Sequence, residues 1–333
     1  MLSKDLSFII PVYNRPLEID ELLNSFSNLN GSKDFEIVII EDGSEDKCDH
    51  ILKKYKNLNI SYFFKQNSGP GNSRNFGMNN AKGTYFIILD SDCLLPKNYL
   101  HVLINNLKQN YYECFGGVDV SHESFSSFQK AVSFSMTSFV TTGHLRGGSM
   151  SRGFQPRSFN MGISKNAFNK SKGFGILHPG EDPDLSIRLN KLGIDSVLYS
   201  NLKVFHKRRI SISSFYKQVF KFGIARSILN SWYPDTKKII YWFPSIFIIS
   251  FILSFILLIF GFNYLIIPYF IYFSVVFIQS SIKNNLFVGL LSIITTFIQF
   301  FAYGLGFFVS FLRVNIFFNR KIETIFPKMF FKP

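Results

Sequence analysis

"NSGPGNSRNFGMNNAKGTYFIILDSD", residues 67–92, is the stretch from which the fold can be read. A Gly-Pro-Gly turn opens a helix-length segment and a Lys-Gly turn closes it. An apolar run of strand composition follows, Tyr85 to Leu89, and stops at two aspartates, Asp90 and Asp92, separated by one serine. Turn, helix and buried strand in that order make half of a βαβ unit. The carboxylate pair has two readings: an Asp-Ser turn of the kind that ends many strands, or a seat for a divalent cation, which would offset the repulsion between like charges.

The residues upstream repeat the pattern. "LSFIIPVY" (6–13) reads as a strand, followed by "LEIDELLNSF", a helical pattern with Leu17, Leu22, Leu23 and Phe26 on one face. "FEIVIIEDGS" (35–44) is a second continuous apolar strand, "EDKCDHILKKY" a second helix, and "ISYFFKQ" (60–66) a third strand. Downstream, "FGGVDV" (115–120) reads as a strand and "FNMGISKNAFNKSKGF" (159–174) as a strand and turn. Short apolar runs alternating with amphipathic helices predict an α/β domain with a mainly parallel central sheet covered on both faces. In such sheets ligands bind at the carboxyl ends of the strands.

The polar residues fall at that edge. Strand one ends in Tyr13 and Asn14, strand two in Glu41 and Asp42, strand three leads to Gly69, Gly71 and Arg74, and strand four ends in Asp90 and Asp92. Singly, each is turn or cap chemistry. Together they are what a nucleotide pocket requires: glycines that let backbone N–H groups approach phosphate, an arginine to pair with its oxygens, and aspartates for a hard cation that holds a diphosphate.

The 333-residue chain carries a net charge of +14, unevenly spread. Residues 239–312 contain one formal charge, Lys283, and are dominated by Phe, Ile, Leu and Tyr, which predicts a membrane sector. Just before it, residues 202–238 hold nine Lys or Arg against one Asp. Juxtamembrane basic residues mark the cytoplasmic side and attract anionic headgroups, so membrane lipids rather than nucleic acid are the expected partner. The N-terminal apolar run ends at Pro11, too short for a signal-peptide core. Three cysteines, Cys48, Cys93 and Cys114, without metal-type spacing fit a reducing compartment, with Cys93 read as a packing residue. The expected organisation is a soluble cytoplasmic domain over 1–207, basic amphipathic interfacial helices over 208–238, two or three transmembrane helices over 239–314 in the cytoplasmic (inner) membrane, and a basic tail over 315–333. An odd number of crossings would put Arg313, Arg320, Lys321, Lys328 and Lys332 outside, against the charge rule; either one segment is interfacial or re-entrant and the number is even, or the first helix alone sets the topology, and two true spans or a hairpin plus one are expected.

"SFIIPVYNRP", "IVIIEDGSED", the 67–92 stretch and "GEDPDLSIRLNKLG" resemble the successive motifs of family-2 glycosyltransferases over about residues 5–207. The resemblance implies the GT-A fold, a nucleotide-diphospho-sugar donor, a divalent cation (Mn²⁺ or Mg²⁺) and transfer with inversion. It places Pro11, Tyr13 and Asn14 at the base and ribose, Asp42 on the base, and Gly71, Arg74 and Asn75 by the ribose and diphosphate. Asp90 and Asp92 become the D-x-D motif, with Asp92 the direct metal ligand and Asp90 its support, a ribose or water-mediated partner. Glu41 stands where the family usually has Asp. His206, in "KVFHKRR", is similar to a histidine that reaches the metal or diphosphate in some relatives.

One-step inversion at a sugar carbon needs a base for the acceptor hydroxyl. Glu181 and Asp182 supply the pair, and the family pattern favours Asp182, with a helix N-cap at Asp182 or Asp184 as the structural alternative. Gly117, Asn160, Gly173 and Phe174 are expected to line the acceptor and sugar side, and the Ser-, Thr- and Gly-rich run 133–154 to form an acceptor loop. The implied activity is transfer to a hydroxyl of a lipid-linked or cell-envelope glycan. The alternatives are a polyprenyl phosphate acceptor, which needs no base, and a non-catalytic nucleotide-sugar-binding membrane protein. A processive synthase is disfavoured because "QVFKF" (218–222) lacks the Arg-Trp of a Q-x-x-R-W motif.

Overall fold

The computed structural model describes residues 2–142, 154–207, 211–317 and 320–331. The strands are β1 (Leu6–Val12), β2 (Glu36–Asp42), β3 (Asn59–Lys65), β4 (Tyr85–Ile88), β5 (Cys93–Leu94), β6 (Cys114–Val120), β7 (Met161–Ser164) and β8 (Ser196–His206). The helices are α1 (Pro16–Ser27), α2 (Asp49–Leu52), α3 (Pro70–Asn80), α4 (Tyr99–Gln109), α5 (Ser127–Thr137), α6 (Phe139–Thr142), α7 (Lys165–Ser171), α8 (Glu181–Lys191), α9 (Ile212–Trp232), α10 (Phe243–Ile259), α11 (Ile267–Lys283), α12 (Leu286–Ile316) and α13 (Ile322–Ile325). The chain divides into two compact units, Met1–His122 with Gly147–Lys207 and Phe331–Pro333, and Glu123–Arg146 with Arg208–Phe330.

The first unit is built on one sheet of order β3-β2-β1-β4-β7-β6-β8-β5. The β3-β2-β1-β4 half is parallel, as the apolar runs predict, whereas β7 is antiparallel to both β4 and β6. Cover on both faces of the sheet explains the continuous apolar runs over residues 8–12 and 37–40: alternate side chains feed two cores. Phe8 and Ile10 join Leu22, Phe26, Phe35 and Tyr99 on one face, and Ile9 joins Ile40, Met78, Phe86 and Leu185 on the other. Chain order turns back at β1, with β2 and β3 on one side and β4 on the other, which opens a crevice at their carboxyl ends.

Three local expectations change. The buried face of α1 is Ile19, Leu22, Leu23 and Phe26, while Leu17 is 74% exposed, because its position two residues before Ile19 is more than half a turn away, on the opposite side of the helix. The second helix is one turn long, since only Ile51 of it is buried and the following Lys53-Lys54-Tyr55-Lys56 adds no apolar face. The turn after β7 is helix α7, capped by the Ser164 hydroxyl, which accepts from Ala167 N at 3.0 Å.

In the second unit, residues 123–142 depart from the expected 1–207 domain. The apolar face of α5, with Val132 and Met136, packs on Phe215, Val219 and Ala302, and Thr295 donates to Ala131 O at 3.2 Å. Residues 133–142 of the expected acceptor loop are therefore helical apart from Ser138, and 143–153 lie outside the described residues, as do Arg208, Arg209 and Lys332. The expected amphipathic interfacial segment is one packed helix, α9. Apolar residues occur all round it, Phe215, Val219, Ala225, Ile228 and Leu229 are buried, and Gly223 admits the α12 backbone at Tyr303 and Phe307. Three helices, Ile239–Ile259, Asn263–Lys283 and Leu286–Ile316, are long and apolar enough to cross a membrane.

Candidate active site

The carboxyl ends of β1, β2 and β4 meet the starts of α3 and α8 in the first unit. Asn14 adopts a left-handed backbone (φ 53°), and its side-chain oxygen accepts from Glu45 N at 2.8 Å and Asp46 N at 3.1 Å. It thus clamps the β1 loop to the β2 loop. Tyr13 beside it is 53% exposed and presents a free ring face, with Pro11 half-buried behind. Asp42 is buried and faces the turn before α3: one oxygen takes the Lys65 ammonium and Ser68 N (3.0 Å), the other Gly69 N (2.9 Å). Asp42 therefore holds this loop through both oxygens, and the one bound to Gly69 N keeps a second lone pair for a nucleobase donor. Glu41 is fully buried against the Ser44 hydroxyl and Cys48 N, a support for the same edge.

Arg74 organises the centre. It is 4% exposed, donates from Nη2 to Asp90 Oδ1 at 2.8 Å and from Nη1 to Glu181 Oε1 at 3.2 Å, and lies 5.3 Å from the centre of the Phe174 ring. Its fork therefore joins the end of β4 to the start of α8. Glu181 also meets His178 Nδ1 at 2.9 Å and accepts from Gly180 N at 2.9 Å. Burial alone would raise the pKa of Glu181, but His178 and Arg74 overcome it and hold the carboxyl at about 2.

Asp182 is the opposite case. Burial, then the neighbouring Glu181 charge, push it up to about 6, against the pull of Arg74 and Arg157. Its Oδ2 accepts from Ser158 N (3.1 Å) and the Ser158 hydroxyl (3.2 Å), while its Oδ1 is buried with no hydrogen-bond partner among the described residues. The helix N-cap position is Gly180, so neither Asp182 nor Asp184 caps α8; Asp184 pairs with Arg188 at 2.8 Å. Two adjacent carboxyls with pKa values pushed apart divide naturally into a charged anchor and a proton acceptor.

Asp92, Cys93 and His206 each offer a ligand atom, all within 4.8 Å of one another. His206 Nε2 lies 3.1 Å from Asp92 Oδ1, and its ring stacks on Phe159 with centroids 5.0 Å apart. A carboxylate oxygen and an imidazole nitrogen suit Mn²⁺ or Mg²⁺, and the Cys93 thiol, which donates to Phe159 O at 3.4 Å, is the soft donor such ions use least. Asp90 is not in this group; its Oδ1 pairs with Arg74 at 2.8 Å. Arg15 Nη1, 3.4 Å from Asp92 Oδ2, adds a fixed cation at the same edge.

The proposed acceptor residues separate. Asn160 is 0% exposed, accepts from the Tyr99 hydroxyl at 2.7 Å and donates to Leu202 O at 3.0 Å; Gly117 is buried against that same amide. Both serve the core under β6 rather than a pocket. Asn160→Ala should thus destabilise the fold by about 1–3 kcal/mol, the cost of leaving buried partners unpaired, and leave nucleotide affinity unchanged; a thermal shift and a nucleotide titration read the two effects. Gly173 (φ 70°) and Phe174 do border the site, held by Asn75, which accepts from Phe174 N (2.8 Å) and donates to Phe174 O (2.9 Å). That pair of hydrogen bonds ties the Asn75 amide to the Phe174 backbone. Gly71 borders the same cleft, facing Gly175 O.

Arg15, His178 and Ser158 are the site residues that motif reading missed. Arg15 and His178 were within the quoted "VYNRP" and just before "PGED", where a cation beside a carboxylate motif was the available signal. Ser158 carried none.

Residues 7–170 match the family model described as Glycosyl transferase family 2, a match that stops short of Glu181, Asp182 and His206. An uncharacterized glycosyltransferase of Rickettsia conorii is 41% identical over 110 residues, 32% of this chain and 18% of its own. An uncharacterized glycosyltransferase of Mycoplasma genitalium is 30% identical over 142 residues, 38% of this chain and 48% of its own. The poly(ribitol-phosphate) beta-N-acetylglucosaminyltransferase TarS of Staphylococcus aureus is 37% identical over 98 residues, 28% of this chain and 17% of its own. The matches thus span less than half of each of these relatives. Among solved structures, the mannosyltransferase PcManGT of Pyrobaculum calidifontis, in complex with GDP-Man and Mn²⁺, aligns with a TM-score of 0.56 at 14% identity, covering 92% of this chain and 87% of that one, a likeness of fold.

Proposed function

We propose, for a chain that belongs through residues 7–170 to glycosyl transferase family 2, a membrane-anchored enzyme that moves a sugar from a nucleotide-diphospho-sugar to a hydroxyl of a cell-envelope or lipid-linked glycan, with inversion. The observation that carries this reading is the Arg74 fork, which brings Asp90 and the Glu181–Asp182 pair into one site. The acceptor O–H gives its proton to Asp182 Oδ1 as the new C1–O bond forms and the donor's bond to the diphosphate breaks. Glu181, kept ionised by His178 and Arg74, raises the proton affinity of Asp182 without competing for the proton. Asp92 and His206 would hold a divalent cation, which when bound supplies positive charge for the leaving diphosphate. The exposed Tyr13 ring offers the base a stacking surface. The raised pKa of Asp182 favours a hydroxyl acceptor, since an anionic phosphate needs no base. The three apolar helices support the anchor, here assigned to the cytoplasmic membrane with the catalytic unit in the cytoplasm.

The test is nucleoside diphosphate release by the full chain in membranes, from UDP-, GDP- and dTDP-sugars with and without Mn²⁺, and sugar incorporation into a lipid or glycan extract. Cation-dependent release with incorporation from one donor class is expected. Folded protein that turns over no donor would overturn the assignment.

A further inference from the structure

We infer that Phe331 is a positioning residue of the site just described, seated on the catalytic unit and therefore on that unit's side of the membrane. Phe331 groups with the first unit, far in sequence from everything it touches there. Three contacts seat it. Its backbone N–H donates to Ile176 O at 3.1 Å, its ring lies 5.7 Å from the His178 ring, and the same ring covers Gly69. Gly69 has φ 87°, a backbone only glycine adopts readily, and any Cβ there would run into the Phe331 ring. The seat thus exists because position 69 carries no side chain.

The two loops that Phe331 joins carry the chemistry. Gly69 begins the turn whose amide is held by Asp42 and which starts α3, the helix of Arg74. His178 holds Glu181, which Arg74 also holds. Phe331 borders a cleft with Ser68, Gly71, Asn72, His178 and Glu181. Its ring therefore fixes the spacing between the Arg74 helix and the Glu181–Asp182 corner without reaching the reacting atoms.

This seat also bears on the crossings. A chain that leaves the sheet at β8 and returns to it at Phe331 begins and ends on one face of the membrane, so the apolar helices between make an even number of complete crossings. That agrees with the basic residues on both flanks of the sector. One of the three helices then lies in or re-enters the membrane.

The role in positioning rests on the glycosyltransferase reading; the sidedness does not. The full chain in sealed vesicles of known orientation, carrying a cysteine appended after Pro333, is labelled with an impermeant maleimide beside a Lys47→Cys control on the exposed β2 loop. Labelling of both from one face is expected, and labelling from opposite faces overturns the seat. In the kinetic arm, Phe331→Ala lowers kcat about tenfold, a cost typical of slight misplacement, with UDP and GDP affinity unchanged and Phe331→Tyr restoring the rate. Wild-type kcat in Phe331→Ala, or a loss that Phe331→Tyr does not restore, overturns the positioning role. If the wild-type chain turns over no donor, the function falls while the labelling result still decides the seat.

Discussion

Asp182→Asn lowers transfer by about 10²–10⁴-fold, the usual contribution of a positioned base, with nucleotide affinity close to wild type. The expectation rests on the buried, unpartnered Oδ1 and on the raised pKa of its carboxyl. An asparagine keeps the size of the side chain and can still accept from Ser158, so the loss isolates the proton transfer from packing. The same residue sets the pH profile. A base works only when deprotonated, so wild-type kcat/KM should climb as pH rises through about 6 and level off above it. Asp182→Asn should remove that limb. A variant with near-normal transfer, or one that keeps the limb, would place the base elsewhere.

Arg74→Leu has the largest expected effect on stability. Removing one partner from a buried ionic group costs about 3–5 kcal/mol, because the remaining charges stay desolvated. Here Glu181, 6% exposed, would keep only His178 and the Gly180 N–H, and Asp90 would lose its Arg74 partner. Arg74 also lowers the pKa of Asp182, so in any folded fraction the acid limb moves up in pH and the rate near neutrality falls further. Arg74→Lys should rescue little, since one ammonium cannot span two carboxylates on different elements as a planar fork does. Thermal unfolding and the pH profile of the soluble fraction read both effects. Unchanged stability in Arg74→Leu would mean that the fork does not hold the site together.

Much of this was legible before any coordinates. The two-sided burial of β1 and β2 is written in their unbroken apolar runs, and the sheet edge is written in Asn14, Asp42 and the pair Asp90 and Asp92, the polar stops of β1, β2 and β4. What the sequence hides is how polar groups spend their hydrogen bonds. Asp42, Arg74 and Asn75 suit a nucleotide by type, and each is also engaged by the protein, which only three-dimensional neighbours such as Gly69, Glu181 and Phe174 reveal. Asn160 was misread for the same reason: an isolated Asn before a strand carries no sign of the Tyr99 hydroxyl 61 residues away. Helix α5 was misplaced because its Ser- and Thr-rich composition masks an apolar face that packs on α9 and α12, and no local pattern announces a long-range partner.

The central claim is that these strand ends hold a nucleoside diphosphate through a cation at Asp92 and His206. Calorimetric titration of UDP and GDP into the full chain, with and without Mn²⁺ and repeated on Asp92→Ala, tests it most directly. The account predicts that one of the two nucleotides binds, that Mn²⁺ tightens the binding, and that Asp92→Ala abolishes the tightening while Asp182→Asn retains it. Binding by neither nucleotide in folded wild-type protein, or Mn²⁺ enhancement that survives Asp92→Ala, would contradict it.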